Sequence, residues 1–305
     1  MNLILDTDIG SEMTDAATLC LAAISSEIKL LGVSTVTHDT IFRASAAKKL
    51  LHLLDCDDIP VSAGYGKEAT HHWERQIIFP EGYRPLDLDK RQGYDLILDL
   101  VNAHIGDIVL VGIGTLTNIA KALEVDRDLP KKVSRLVVMG GMINPPIVDG
   151  KQIPIGFEYN FCNDNVAATK VVQAGFNLTI IPGDLTFQQD DPWTEEEMKE
   201  LASIQHPAVQ LLTKLKDQSL VEMRKGMEGA HLPLEFAKPW VNDELLMAYL
   251  IMPDFFETKD IFIHWELPNK YPRITIATEG YPVRLVSGVD FREAKKFIIN
   301  RFRSI

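Results

Sequence analysis

Three aspartates and a glutamate fall in the stretch Asp6-Thr7-Asp8-Ile9-Gly10-Ser11-Glu12-Met13-Thr14-Asp15, directly after the apolar run Leu3-Ile4-Leu5. Carboxylates crowded this way repel one another, and they stay ionised only beside a hard cation, a shared proton or a basic partner. The first Lys or Arg of the chain is Lys29, so a divalent metal is the leading explanation. Similar residue types recur in four later segments. Val111-Gly112-Ile113-Gly114-Thr115-Leu116-Thr117-Asn118 and Val138-Met139-Gly140-Gly141-Met142 are glycine-bearing strand exits. Glu158-Tyr159-Asn160-Phe161 reads as an extended segment whose period-two alternation puts carboxylate and carboxamide on one side. Asn242-Asp243-Glu244 precedes an apolar helix, with Asn242 or Asp243 as its N-cap.

Positioning these groups requires a scaffold, and the hydrophobic pattern supplies one. Candidate strands at 3–5, 28–36, 107–112, 135–139 and 178–181 alternate with helical patterns at 15–25, 44–54, 94–104, 118–125 and 165–174. Such alternation predicts an α/β fold: a mostly parallel central sheet with helices on both faces, a Rossmann-like core. Ligands of such sheets lie beyond the carboxyl ends of the strands, where each of the motifs falls. His71–Arg84 reads as a long surface loop. Gln218–Val241 combines a helical segment with an irregular stretch, either a lid or surface decoration. Beyond residue 257 the pattern is strand-rich (261–265, 273–278, 283–286) and closes with a helix from 290 to about 302. No linker or repeat interrupts it, so residues 1–305 read as one domain.

A hydrophobic share of 46% and a charged share of 24% are ordinary for a soluble protein with a substantial core. The net charge of −12 argues against nucleic acid or an anionic membrane surface as partner. Cys20, Cys56 and Cys162 are widely spaced and read as free thiols. No signal-like amino terminus and no run of about 18 apolar residues is visible, which predicts a cytoplasmic protein.

Taken together the motifs resemble the inosine–uridine nucleoside hydrolase family. Its acidic opening matches Asp6, Asp8, Gly10, Glu12, Thr14 and Asp15. Its L-T-N-I-A matches Leu116 to Ala120, its M-G-G matches Met139 to Gly141, and its E-[FW]-N matches Glu158-Tyr159-Asn160. Pro182-Gly183-Asp184-Leu185-Thr186 and Val289-Asp290 are similar to its later motifs. The resemblance implies a nucleoside-hydrolase fold, a dimer or tetramer, a role in purine or pyrimidine salvage, and a nucleoside or related N-riboside as substrate. It also implies a Ca²⁺ ion held by Asp8, Asp15, the Thr117 carbonyl and Asp243. Asp8 would accept the proton of the attacking water. Glu158 and Asn160 would bind ribose hydroxyls, Asn160 also stabilising the oxocarbenium-like sugar, as anionic surroundings do in glycoside hydrolysis. Met139, Glu12, Thr14, Asp39, Trp240 and Asn242 complete the implied substrate contacts.

Each assignment has a plainer alternative. Asp15 serves a helix dipole, Asn118 or Asp243 caps a helix, and Glu158 with Asn160 forms a solvated strand face. The chain also departs from the family at three places. Thr14 replaces an Asp that holds a ribose hydroxyl, His38-Asp39 replaces Gly-Asn, and Asn242 replaces the His that protonates the departing base. Asn cannot titrate in that role. His71 and His72 are the substitutes the sequence offers, a solvated loop pair being their plain reading, and Trp240, Tyr65 and Trp73 are candidates for base stacking. Two rivals follow: a catalytically impaired ribose- or nucleoside-binding protein of the same fold, and a haloacid-dehalogenase-like phosphatase. The latter would use Asp6 as nucleophile, Asp8 as general acid, Mg²⁺, and Gly183-Asp184 with Asp190 downstream, but it leaves Glu158, Asn160 and Asp243 unexplained.

Overall fold

The computed structural model describes residues 1–10, 12–66, 87–148, 150–187, 192–267 and 271–305. Its strands are β1 (Asn2–Thr7), β2 (Lys29–Thr35), β3 (Val61–Ala63), β4 (Ile108–Gly112), β5 (Arg135–Met139), β6 (Ile147–Val148), β7 (Lys151–Gln152), β8 (Leu178–Ile181), β9 (Phe256–Glu266), β10 (Arg273–Ala277) and β11 (Tyr281–Val289). Nine of them form one sheet in the order β10-β9-β11-β8-β5-β4-β1-β2-β3, while β6 and β7 make a separate hairpin. From β3 to β11 every pairing is parallel; β9 joins β11 and β10 antiparallel. β1 lies centrally, paired on one side with β2 and on the other with β4, so the strand order reverses there. That reversal opens a crevice at the carboxyl ends of β1 and β4.

The apolar run Leu3-Ile4-Leu5 explains this placement. All three side chains are buried, Leu3 and Leu5 in the core beneath one helical layer and Ile4 in the core beneath the other. A strand covered on both faces must be apolar at successive positions. The first layer includes α1 (Met13–Ile24) and α2 (Thr40–Leu53), and the second includes α3 (Gly93–Ala103) and α4 (Thr117–Val125). Next along the chain come α5 (Leu129–Lys132), α6 (Tyr159–Asn163), α7 (Asn165–Val172), α8 (Gly183–Phe187), α9 (Glu195–Ser203) and α10 (Pro207–Gly229). α11 (Glu244–Ile251) packs on α1, and α12 (Phe291–Arg303) closes the chain. Truncating one buried leucine, such as Leu5→Ala, costs about 2–5 kcal/mol.

Two sequence expectations need correction. Glu158–Asn160 is not extended: Glu158 caps α6 and Asn160 lies within it. Half of the 218–241 stretch is the end of α10, a helix of 23 residues that starts at Pro207 behind the cap residue His206. Its Met223 and Met227 join Phe236 and Trp240 in a small core of their own. The stretch is therefore packed structure rather than loose decoration. The loop expected at 71–84 lies outside the described residues. Among the described residues no helix is long and apolar enough to cross a membrane, and the three cysteines are free thiols, Cys56 only half-buried.

Candidate active site

A cavity of about 810 Å³, open to solvent, occupies the crevice at the sheet's reversal. Asp8, Glu12, Asp15 and Asp243 form an acidic side, and Glu158, Tyr159, Asn160 and Asn242 a polar one. Ile113, Met139, Phe157, Phe187 and Met223 supply apolar surface. The mixed lining suits a small ligand with a sugar-like and a flat apolar half. Asp8 follows β1, Asp15 sits in the first turn of α1, and Asp243 is the N-cap residue of α11. Gly114, after β4, permits the close approach: a Cβ there would lie 2.9 Å from the Asp8 backbone nitrogen.

Hydroxyl donors aim the acids. Thr7 Oγ1 donates to Asp15 Oδ1 at 2.6 Å, and Thr14 Oγ1 donates to Asp243 Oδ2 at 2.6 Å. The residue that replaces the family's ribose-binding aspartate therefore orients an acid from the far end of the chain. Asp243 makes no side-chain cap bond to its own helix, which removes the plain N-cap reading. Deeper down, Asp6 Oδ1 accepts from Ser34 Oγ at 2.5 Å and Asn118 Nδ2 at 2.8 Å, while its Oδ2 has no partner. Asn118 also donates to the Thr35 carbonyl and accepts from the Tyr65 amide, so it ties β1, β2 and the β3 exit together rather than capping α4.

Asp8, Asp15 and Asp243 are each no more than 6% exposed. Burial, the largest influence, raises all three carboxyls; mutual repulsion lifts Asp15 and Asp243 further. Asp8 is held back mainly by Arg43 and by a hydrogen bond with Asp15. Arg43 corrects a premise of the sequence reading: the basic partner missing from the first turn arrives from α2. Its buried guanidinium donates to the carbonyls of Thr37 (2.8 Å) and Ile9 (3.0 Å). Burial likewise pushes Asp6, Glu158 and Glu244 up to about 7.

One guanidinium does not offset this many acids, and the donor chemistry is what a hard cation takes: several buried carboxylate oxygens, those of Asp15 and Asp243 each oriented by a threonine hydroxyl. Beside them Asn242 Oδ1 is buried without a partner, an acceptor awaiting a donor from the cavity. Among the described residues no three His, Cys, Asp or Glu side chains already stand in metal-holding array. The donor set thus suits Ca²⁺ in kind: buried carboxylates that meet at one cavity.

The other expected contacts sort clearly. Asn160 Nδ2 donates to the carbonyls of Ile113 (3.2 Å) and Met139 (3.0 Å). Both partners are acceptors, which fixes the amide orientation and turns Oδ1 away from them. Glu158, rather than a solvated strand group, is buried; both its oxygens accept backbone amides of α6, Asn160 N on Oε1 at 2.7 Å and Phe161 N on Oε2 at 3.0 Å. Thr117 is buried, its hydroxyl donating to Asp164, but it is not among the cavity's lining residues. Asp39 is exposed and caps α2, accepting from the Phe42 amide at 2.9 Å, so its charge does not enter the cavity. Trp240 lines a smaller neighbouring pocket of about 280 Å³ with Thr14, and its indole donates to the Phe236 carbonyl. His71, His72 and Trp73 lie outside the described residues. Arg43, Thr7, Phe157 and Phe187 escape sequence reasoning because nothing in their spacing marks them; Tyr159 is visible only as the odd member of its motif.

The family model for inosine-uridine preferring nucleoside hydrolases matches residues 3–295. The inosine-uridine preferring nucleoside hydrolase of Leishmania major is 30% identical over 296 residues, covering 92% of this chain and 88% of that protein. The pyrimidine-specific ribonucleoside hydrolase RihA of Shewanella baltica is 28% identical, with 88% and 83% covered. Among solved structures, the purine-preferring ribonucleoside hydrolase from Gardnerella vaginalis superposes with a TM-score of 0.79 at 20% identity over 100% of this chain and 98% of that one. The inosine-uridine preferring nucleoside hydrolase from Bacillus anthracis gives 0.77 at 18% identity, covering 100% and 99%. The fold is that of the nucleoside hydrolases, and the chain belongs to the inosine-uridine preferring nucleoside hydrolase family, hydrolases acting on N-glycosyl compounds.

Proposed function

We propose that residues 1–305 act as a single Ca²⁺-dependent unit that hydrolyses the N-glycosidic bond of a ribonucleoside or related N-riboside. The observation that carries this reading is the meeting of Asp8 and Asp15 with Asp243 at one cavity, tied by a hydrogen bond between residues 229 positions apart. Asp8, Asp15 and Asp243 line the cavity and would hold the ion, and the family resemblance adds the Thr117 carbonyl from the start of α4. When bound it supplies hard oxygen coordination and positive charge, which fixes ribose hydroxyls and a water in place.

Asp8 accepts the water's proton as the oxygen attacks the anomeric carbon. Asn160 Oδ1 and the surrounding carboxylates face the positive charge that grows on the sugar. Asn242 Oδ1 takes a hydrogen bond from the ligand. Glu158, spent on the backbone of α6, holds Asn160 in place. Phe157, Phe187 and Met223 give the departing base an apolar seat, the part the sequence assigned to Trp240. Similarity to relatives named for pyrimidine, purine and inosine-uridine substrates supports the nucleoside class and does not narrow the base.

The test is reducing-sugar release from a panel of ribonucleosides with Ca²⁺ and with chelator. Turnover that stops with chelator and falls about 10²–10⁴-fold in Asp8→Asn is the expected result. Ligand binding without turnover in the parent chain selects the binding-protein reading instead.

A further inference from the structure

Nothing assigned so far protonates the base as it leaves, and Asn242 stands where a histidine would do so. Among the described residues that line the cavity, Tyr159 carries the one hydroxyl group. Its phenolic oxygen lies 3.1 Å from His38 Nε2. His38 comes from the turn after β2 and Tyr159 from the start of α6, so the contact joins residues 121 positions apart and ties the cavity-lining tyrosine to the β2 exit.

The turn that delivers His38 is strained. Thr37 and His38 are consecutive non-glycine residues in the left-handed region, with φ of 73° and 53°. Such residues are costly and persist only where their surroundings over-determine them. Here the surroundings do. Thr37 Oγ1 bonds Thr115 Oγ1 at 2.8 Å, Arg43 Nε donates to the Thr37 carbonyl, and the Thr40 amide donates to the His38 carbonyl at 3.0 Å. At Gly66 a Cβ would meet that same carbonyl at 2.2 Å, so the neighbouring backbone is fitted closely around the turn.

We propose that Tyr159 is the general acid of this hydrolase and that His38 is its positioning residue, an inference that rests on the N-riboside reading above. With Nε2 protonated, His38 donates to the Tyr159 oxygen and leaves the phenolic proton directed at the bound ligand. The bond between the anomeric carbon and the base nitrogen breaks with its electron pair passing to the base. The base takes the Tyr159 proton. Water adds to the anomeric carbon and gives its proton to Asp8. The tyrosinate, stabilised by the His38 donor, regains a proton from solvent as Asp8 releases one, so the net reaction is nucleoside plus water to ribose plus base.

The test compares uridine and inosine with 4-nitrophenyl β-D-riboside, whose leaving group needs no proton. Tyr159→Phe is expected to slow both nucleosides about 10²-fold or more while changing nitrophenyl riboside turnover less than about threefold. His38→Ala is expected to show the same split, smaller in size. Equal loss on all substrates would make Tyr159 a structural residue and overturn the proposal, as would unchanged nucleoside turnover. A parent chain inactive on every substrate overturns the hydrolase reading and this inference with it.

Discussion

The antiparallel end of the sheet and its centre treat charge in opposite ways. At the antiparallel edge, Asp260 of β9 meets Arg284 of β11 in a two-point pair at 2.8 and 3.0 Å, and the arginine holds its carboxyl below the usual range. At the centre, Asp6, Asp8, Asp15 and Asp243 are buried and every one is pushed upward. Edge charges stay in solvent and keep a partner, which contributes little to stability and discourages further strand pairing. Central charges are costly to bury, so they persist only where a ligand uses them. The contrast separates the part of the sheet that carries chemistry from the part that completes the fold.

The largest way to break the contrast is at Arg43. Arg43→Met removes the one guanidinium that moderates Asp8 and strips the Thr37 and Ile9 carbonyls of their donor. The expected cost is about 3–5 kcal/mol of stability, read from urea unfolding. Next comes Thr14→Val, which frees Asp243 from the hydroxyl that orients it. Calcium affinity is expected to fall about 10–100-fold, with the fold intact by circular dichroism.

A pH scan sharpens the comparison without mutation. Asp6, Glu158 and Glu244 sit near 7 in the folded chain, above their unfolded values. The folded state therefore binds the extra protons, and the stability they contribute is full in acid and lost as pH rises through about 7. In chelator the melting temperature should fall between about pH 4 and about pH 7 and level off above that, and Ca²⁺ should restore it most at the upper end. The smallest effect belongs to the edge: Asp260→Asn should leave turnover, calcium affinity and melting temperature unchanged within error.

Much of the fold was legible because buried parallel strands need apolar residues at every position. Leu178–Ile181 and Arg135–Met139 are strands with the expected bounds. The acidic turn and Asp243 were legible for the opposite reason, since charge in so apolar a setting demands an explanation. What stayed hidden depends on contacts between distant segments. Thr14 reads as a lost sugar contact although its hydroxyl bonds Asp243, and Arg43, just ahead of the helix expected at 44–54, carries no mark in the sequence of its bond to the Ile9 carbonyl. Glu158 misled because period-two spacing and a capping side chain with its helix place the same residue types close together. Asp39, three residues before the Phe42 amide, carried a plain N-cap signature that the family comparison overrode.

Calcium titrated calorimetrically into the chelator-stripped chain tests the shared acidic site most directly. A single saturable site in the parent and in Asp260→Asn, abolished in both Asp15→Asn and Asp243→Asn, is the expected result. Equal binding by all four proteins, or binding by none, contradicts it.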